Sequence, residues 1–408
     1  MTGNTTSRLS FAYQAAVGTE TIDDATDTTY FFGKREEGQS WKTPTQTNKT
    51  ESYGSYSSRD PTLVPLEPVF NTWIIPYIPN TPQHLIRMHG QTTEEGSDIH
   101  SIETLDTGLP LPITVRLDLA GGSVDRLYQT VDNYTVGLYL RAMKDTPYTV
   151  EEEVIYGRLE DRRGQWKLTD TVSAESVGAK TITLTNTTLT LNQAAGWLCY
   201  TNSGTGEDEE NVIVSNTAHA TIPVLTLTDT PTTVATDTVV LFDKLRPILT
   251  TVPIMPGKTA THHYNGTPKV YWDVADQNVH LPECWKVEAN LMQKHYIVLD
   301  SDKKYQTVTL GAMEPVKLTL ECVLERHKPV YDYIERAARQ INATVYKPNT
   351  AYYITHQFYN CYITNIEETG HAFEGFYNAR LTLDSAYCQC EYTLESETNW
   401  STHYKHVA

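Results

Sequence analysis

The sequence predicts a mainly β protein: a sandwich or barrel with one helix, interrupted by a small inserted all-β domain. Three observations carry that expectation. Long stretches on both sides of the middle of the chain alternate apolar and polar residues with a period of two, as half-buried antiparallel strands do. Between them, at 169–245, a Thr-rich block holds much shorter apolar runs separated by turn residues, such as "KTITLT", "ENVIVSN" and "VLTLTD". A single stretch, "KPVYDYIERAARQINA" (328–343), spaces its apolar residues as a helix does.

Taken in order, residues 1–61 are polar and turn-rich, and "TNKTESYGSYSSRDPTLVPLEP" (47–68) has Gly, Ser, Asp and Pro at the density of a loop. It is long for a connection inside a compact domain. The first part of the larger β domain is expected at 62–168. In "ITVRLDLAGG", Ile113, Val115, Leu117 and Leu119 alternate with polar partners; "YTVGLYLRAM" repeats the pattern with Val136, Leu138, Leu140 and Ala142, and "TPYTVEEEVIYGRLED" reads as the hairpin return. The block at 169–245, with short strands at regular spacing, reads as a small barrel or sandwich. Insertions of this kind are tolerated at exposed loop tips, where few buried contacts are interrupted.

The second part of the larger domain is expected at 246–408. Its strands carry Val270, Trp272 and Val274, then Trp285, Val287, Ala289 and Leu291, then Val316, Leu318, Leu320, Cys322 and Leu324. The helix is expected at about 329–343, with Val330, Ile334, Ala337, Ala338 and Ile341 as its apolar stripe. Pro329 suits a first turn, and Asp332–Arg336 and Glu335–Arg339 are oppositely charged at a spacing of four. Further strands end the chain.

Composition narrows the function. Fifty acidic against 32 basic side chains give a net charge of −18. Such a balance favours solubility and argues against a surface that grips nucleic acid, which needs clustered Lys and Arg. Tyrosine outnumbers phenylalanine 26 to 8, which points to sheet surfaces and interfaces where a ring packs while its hydroxyl stays wet. The opening "MTGNTTSRLSFAYQAAVG" lacks the basic start, apolar core and cleavage site of a secretory signal. No run approaches the roughly 18–20 apolar residues that span a bilayer.

No motif rises to a catalytic or metal site. Cys388 and Cys390 share one face of an expected strand, but no CxxC or HxxxH spacing accompanies them; with Cys199, Cys284, Cys322 and Cys361 they are expected to be buried small hydrophobes. Glu151, Glu152 and Glu153 are consecutive on a strand, cannot converge on one point, and read as a solvated edge. His262 and His263 lie in a turn-like segment without a second pair of ligands. "EDRRGQWK" (160–167), the densest basic patch, reads as an exposed linker. With no GxSxG, phosphate-cradling Gly loop or HExxH, the expectation is no enzyme: no catalytic residue, no cofactor and no metal.

The order of elements resembles the major tail tube proteins of tailed bacteriophages and archaeal tailed viruses. The segments that carry the resemblance are "FAYQAAVGTETIDDATDTTYFFG" (11–33), "ESYGSYSSRDP" (51–61), the strand pair "RLYQTVDNYTVGLYLRAMKDTPYTVEEEVIYGR" (126–158), the later pair "PKVYWDV…WKVEANLM", and the helix followed by C-terminal strands. The inserted block is similar to small β domains that decorate such tubes on the outside. Two features depart from the pattern: Asn133 lacks the Gly or Cys often seen shortly before it, and the chain exceeds the simplest tube proteins in length. The resemblance implies a virion protein whose copies form hexameric or pseudo-hexameric rings, stacked into a hollow conduit for double-stranded DNA. DNA would pass without specific binding, and there would be no membrane partner. Tape measure, tail terminator and distal tail proteins would be its neighbours, with assembly in the host cytoplasm. Ring stacking would fall to the long loop, through Tyr53, Arg59, Asp60 and Pro61. Alternatives are another virion ring protein (distal tail or head–tail joining), a surface module that binds carbohydrate through the Thr-rich block, or a β-rich hydrolase.

Overall fold

A computed structural model describes residues 6–15, 29–33, 72–79, 82–89, 93–94, 99–102, 112–120, 126–161, 166–218, 222–243, 263–273, 279–281, 284–299, 306–324, 328–350, 352–368 and 377–393, with the single residues 17, 22 and 163. Seven strands lie side by side in the order Thr72–Tyr77, Thr149–Ile155, Arg126–Met143, Cys284–Leu299, Val316–Leu324, Tyr377–Ser385 and Tyr353–Glu368, each antiparallel to its neighbour. Their period-two faces behave as the sequence predicts. Val136, Leu138, Leu140 and Ala142 are buried, as are Val287, Ala289 and Leu291, and Val316, Leu318, Leu320 and Cys322. Each fully buried Leu contributes about 2 kcal/mol of transfer free energy.

Three of these strands are too long for one sheet. Arg126–Met143 has 18 residues, and Cys284–Leu299 and Tyr353–Glu368 have 16 each. The first half of Arg126–Met143 pairs instead with Ile113–Ala120 on one side and Arg158–Asp161 on the other, and Thr6–Tyr13 and Tyr30–Phe31 extend that sheet. The first half of Tyr353–Glu368 enters another sheet, flanked by Arg339–Tyr346, Lys269–Trp272 and Val279–Leu281 on one side. On its other side lie Tyr387–Thr393, Ile99–Ile102 and Thr93–Glu94. The far end of Cys284–Leu299 forms a hairpin with Gln306–Met313.

Asn133 builds the first of these changes of sheet. The register shifts between Ile113 and Val115, and Asp132 takes a left-handed φ of 57°. Asn133 is fully buried there. Its Nδ2 donates to the carbonyls of Ile113 (2.6 Å) and Thr130 (2.7 Å), and its Oδ1 accepts from the Thr130 hydroxyl at 2.8 Å. A bulge bends a strand, and this one aims the second half of Arg126–Met143 into the central sheet. Beside it, Ile113–Ala120 departs from the expected half-burial, since Thr114 and Arg116 are buried along with Ile113, Val115 and Leu117.

The helix is shorter than the sequence predicts. It spans Lys328–Glu335, and Arg339–Tyr346 is a strand. Arg336 has a φ of 52°, the left-handed conformation that ends helices. Beyond it, Ile341, Ala343 and Val345 are buried at strand spacing. The stripe is therefore not a core face: Ile334 is 69% exposed. Asp332 points inward, accepting from Trp272 Nε1 at 2.9 Å and pairing with Arg339 at 2.7 Å, rather than with Arg336. A second helix, Gln83–His89, went unpredicted because Gln83–Met88 are buried all round and show no amphipathic pattern.

The inserted block is a closed six-stranded barrel of Trp166–Ser176, Thr181–Leu184, Val224–Leu227, Glu210–Asn216, Leu198–Ser203 and Thr238–Phe242, in that order. It starts three residues before the expected 169. Trp166–Ser176 pairs with Thr238–Phe242 along its first half and with Thr181–Leu184 along its second. Glu210–Asn216 likewise divides between Leu198–Ser203 and Val224–Leu227. Two strands that change partner midway turn a ribbon back on itself, which closes the barrel. Val172, Ile182, Leu184, Ile213, Leu225, Val239 and Leu241 fill a hydrophobic core separate from that of the large sheets.

Candidate functional sites

The stacking-loop residues Tyr53, Arg59, Asp60 and Pro61 lie outside the described residues, as does His262. The surfaces that the structure does describe are strand edges. Thr72–Tyr77 pairs with Thr149–Ile155 on one side and, among the described residues, with no strand on the other. Pro76 fits such a position because it has no N–H to offer a ladder. At the opposite end of the central sheet, the second half of Tyr353–Glu368 pairs, among the described residues, with Tyr377–Ser385 alone. Ile74 on one edge strand is 38% exposed and Tyr362 on the other 48%.

The hairpin of Cys284–Leu299 and Gln306–Met313 adds a two-faced surface. Ile297, Val308 and Leu310 pack against Tyr134, Val136 and Ile155, while Tyr296 and Val298 are each 65% exposed on the other side. Large exposed apolar side chains that neighbour one another on one face of a strand mark contact surfaces more often than isolated ones do.

Glu152 corrects the expectation of a solvated acidic edge. Glu151 is exposed, but Glu152 is fully buried and is held by Arg87 of the helix Gln83–His89. Arg87 donates from Nε to Glu152 Oε1 at 2.9 Å and from Nη2 to Oε2 at 2.6 Å, a bidentate pair. The Tyr77 hydroxyl donates to Glu152 Oε2 at 2.7 Å, and Thr135 reaches Oε1 at 2.5 Å. The Arg87 guanidinium also lies over the neighbouring rings of Phe11 and Phe32, at 4.5 and 4.7 Å from their centroids. Burial alone would lower the Arg87 pKa; the Glu152 charge and hydrogen bond, with Tyr77 and Tyr13, together outweigh it and hold the group protonated. Burial, then the Glu152 charge, push the Tyr77 phenol well above its usual value. Both ionic partners have no solvent-exposed side-chain area, so the pair joins helix to sheet and is inaccessible to a substrate.

The cysteines are all buried, as the sequence predicts, and all free. What spacing could not show is their neighbourhood. His356 stands opposite Cys390 in the register of Tyr353–Glu368 against Tyr387–Thr393, so a ligand set forms across strands that are far apart in sequence. The basic patch is also more than a linker, because the Arg163 guanidinium stacks over Tyr200 (4.5 Å) and Phe242 (5.1 Å) of the barrel.

No protein-family model and no curated protein matches this chain. Among the described residues, no helix is long and apolar enough to cross a membrane.

Proposed function

We propose that the chain is a structural virion protein, a tail tube subunit whose copies join into rings that stack as a conduit for double-stranded DNA. The observation that carries this reading is the central sheet, whose edge strands Thr72–Tyr77 and the second half of Tyr353–Glu368 are each paired on one side only among the described residues. Unpaired edges invite strand addition from another chain. Two different edges on one subunit make a head-to-tail contact, which closes into a ring when the rotation per subunit permits. The inserted barrel supports the same reading in the opposite way: it is closed, offers no edge, and fits an outward decoration. A net charge of −18 fits a conduit that repels phosphate rather than holding it. Copies of itself, then tape measure, terminator and distal tail proteins, are its partners in this reading.

Negative-stain electron microscopy of the full chain over a concentration series tests it, alongside a variant in which 166–243 is replaced by a short Gly-Ser linker. Rings or hollow rods of fixed diameter are expected from both, with outer bumps lost in the deletion variant. A wild-type chain that stays monomeric at every concentration overturns the reading. The deletion must begin at Trp166, since cutting later leaves half of a barrel strand behind.

A further inference from the structure

Two neighbourhoods bring cysteines together in the core. Cys284 and Cys322 face each other across Cys284–Leu299 and Val316–Leu324. Cys388 and Cys390 share one face of Tyr387–Thr393, where His356 joins them from the adjacent strand. His356 Nδ1 lies 3.2 Å from Cys390 Sγ. One ring nitrogen and both sulfurs lie within 4.8 Å of one another, and all three residues are buried. We propose that His356, Cys388 and Cys390 bind a thiophilic divalent cation of the zinc class inside the protein.

The donor set suits that ion. Bonds of about 2.3 Å to sulfur and about 2.0 Å to imidazole put tetrahedral ligand atoms roughly 3.5–3.8 Å apart, so small side-chain adjustments bring these three into range. Charge favours it too. Two thiolates and a neutral imidazole cancel a divalent charge, so the centre is buried without the cost of a lone ion. Three protein donors leave a fourth position for water or a small anion, as in open rather than closed zinc sites.

The surroundings orient the imidazole. His356 Nε2 is 3.1 Å from the Tyr148 hydroxyl oxygen, which is 3.4 Å from Nε2 of His84. With Nδ1 given to the ion, Nε2 carries the ring hydrogen and donates to Tyr148, whose hydroxyl donates on to His84. A ligating His held through its other nitrogen is the usual outer-shell arrangement. Cysteine ligates a metal as the thiolate. Binding therefore releases two thiol protons to solvent and tightens as pH rises. The site ties Tyr353–Glu368 to Tyr387–Thr393 and, through Tyr148 and His84, to the helix Gln83–His89. Cys284 and Cys322 have no such imidazole in a three-residue group among the described residues, so they serve as the internal control.

The test uses the full chain expressed with zinc, then exchanged with cobalt. Native mass spectrometry is expected to show one zinc per chain, and the cobalt form a near-ultraviolet thiolate-to-cobalt charge-transfer band. Cys388→Ser and Cys390→Ser should lose band and zinc, Cys284→Ser should keep both, and Tyr148→Phe should weaken zinc affinity about tenfold. A folded wild-type chain without zinc and without the cobalt band overturns the proposal, as does a band lost equally in Cys284→Ser. Should the cysteine variants fail to fold, the wild-type spectrum decides alone.

Discussion

The six-stranded barrel and the seven-stranded sheet are both antiparallel, yet they treat strand ends and edges differently. The barrel closes on itself and ties its turns with side-chain carboxylates. Asp170 accepts from the backbone N–H groups of Asn186 (3.0 Å) and Thr187 (2.9 Å). Asp237 accepts from those of Thr205, Gly206 and Val234, at 3.0, 3.1 and 3.0 Å. Gly204, with a φ of 116°, is required beside it, since a Cβ there would lie 1.9 Å from Asp237 Oδ1. Glu209 accepts from the backbone and hydroxyl groups of both Thr232 and Thr233. Among the described residues, the large sheet leaves two edges one-sided, buries a wide apolar core and holds the Arg87–Glu152 pair within it. A small core leans on satisfied turns; a large one can hold a buried charge pair and leave edges for assembly.

The largest effect expected from breaking this contrast is at the ionic pair. Glu152→Ala leaves Arg87 buried without its partner, and removing one member of such a pair costs about 3–5 kcal/mol. Hydrogen exchange should show the loss across Arg126–Met143 and Val316–Leu324, with Glu210–Asn216 in the barrel unchanged. Equal deprotection of the barrel would mean that the two cores unfold as one unit. Leu225→Ala reverses the comparison. Leu225 is fully buried in the barrel core, so about 2–4 kcal/mol should be lost there with the large sheet still protected.

A smaller effect depends on pH. Burial pushes the Asp237 carboxyl up, and the N–H groups of Val234, Gly206 and Thr205 outweigh it, leaving the pKa below its usual value. Glu209 is lowered in the same way, burial being outweighed by the hydroxyl and N–H groups of Thr232 and Thr233. A lowered pKa means stability that is complete above the unfolded-state value of about 4. That stability declines as pH drops through this value and is gone below the folded one. Asp237→Ala should therefore cost the barrel about 1–3 kcal/mol at neutral pH and flatten the acid limb of its unfolding curve. An unchanged acid limb would remove Asp237 from this account.

Much of the contrast was legible in the sequence, for identifiable reasons. Val136 to Ala142 and Val316 to Cys322 alternate cleanly and are buried as read, because one side chain in two faces a core in any antiparallel sheet. The short Thr-rich runs announced the barrel because its strands are short and its turns need Thr, Asp and Asn oxygens. What failed depended on local changes of backbone conformation or on residues distant in sequence. Ile334 and Ile341 look like one helical stripe until Arg336 ends the helix between them. Trp285 was placed on the core face with Val287, but a bulge between Cys284 and Lys286 turns it aside, to donate to Glu321 at 3.2 Å. Glu152 needed Arg87, 65 residues away, and Cys390 needed His356, 34 away; neither separation leaves a local pattern.

The smallest expected effect sharpens the comparison most cleanly. Lys317 and Asp384 pair across two central strands at 2.8 Å, close to the 2.6 Å of Arg87 and Glu152. Their side chains are 65% and 39% exposed, against 0% for both members of the buried pair. In water the Coulomb gain is screened and side-chain freedom is lost in holding the contact, so exposed pairs contribute about 0–1 kcal/mol. Lys317→Ala should shift the denaturation midpoint by at most about a third as much as Glu152→Ala, and the shift should vanish in high salt. A cost near that of Glu152→Ala would mean that Lys317 is buried in the folded protein as it exists in solution. A neighbouring chain covering that face of the sheet would bury it, so a cost that rises with protein concentration would mark Lys317 as lying where subunits meet.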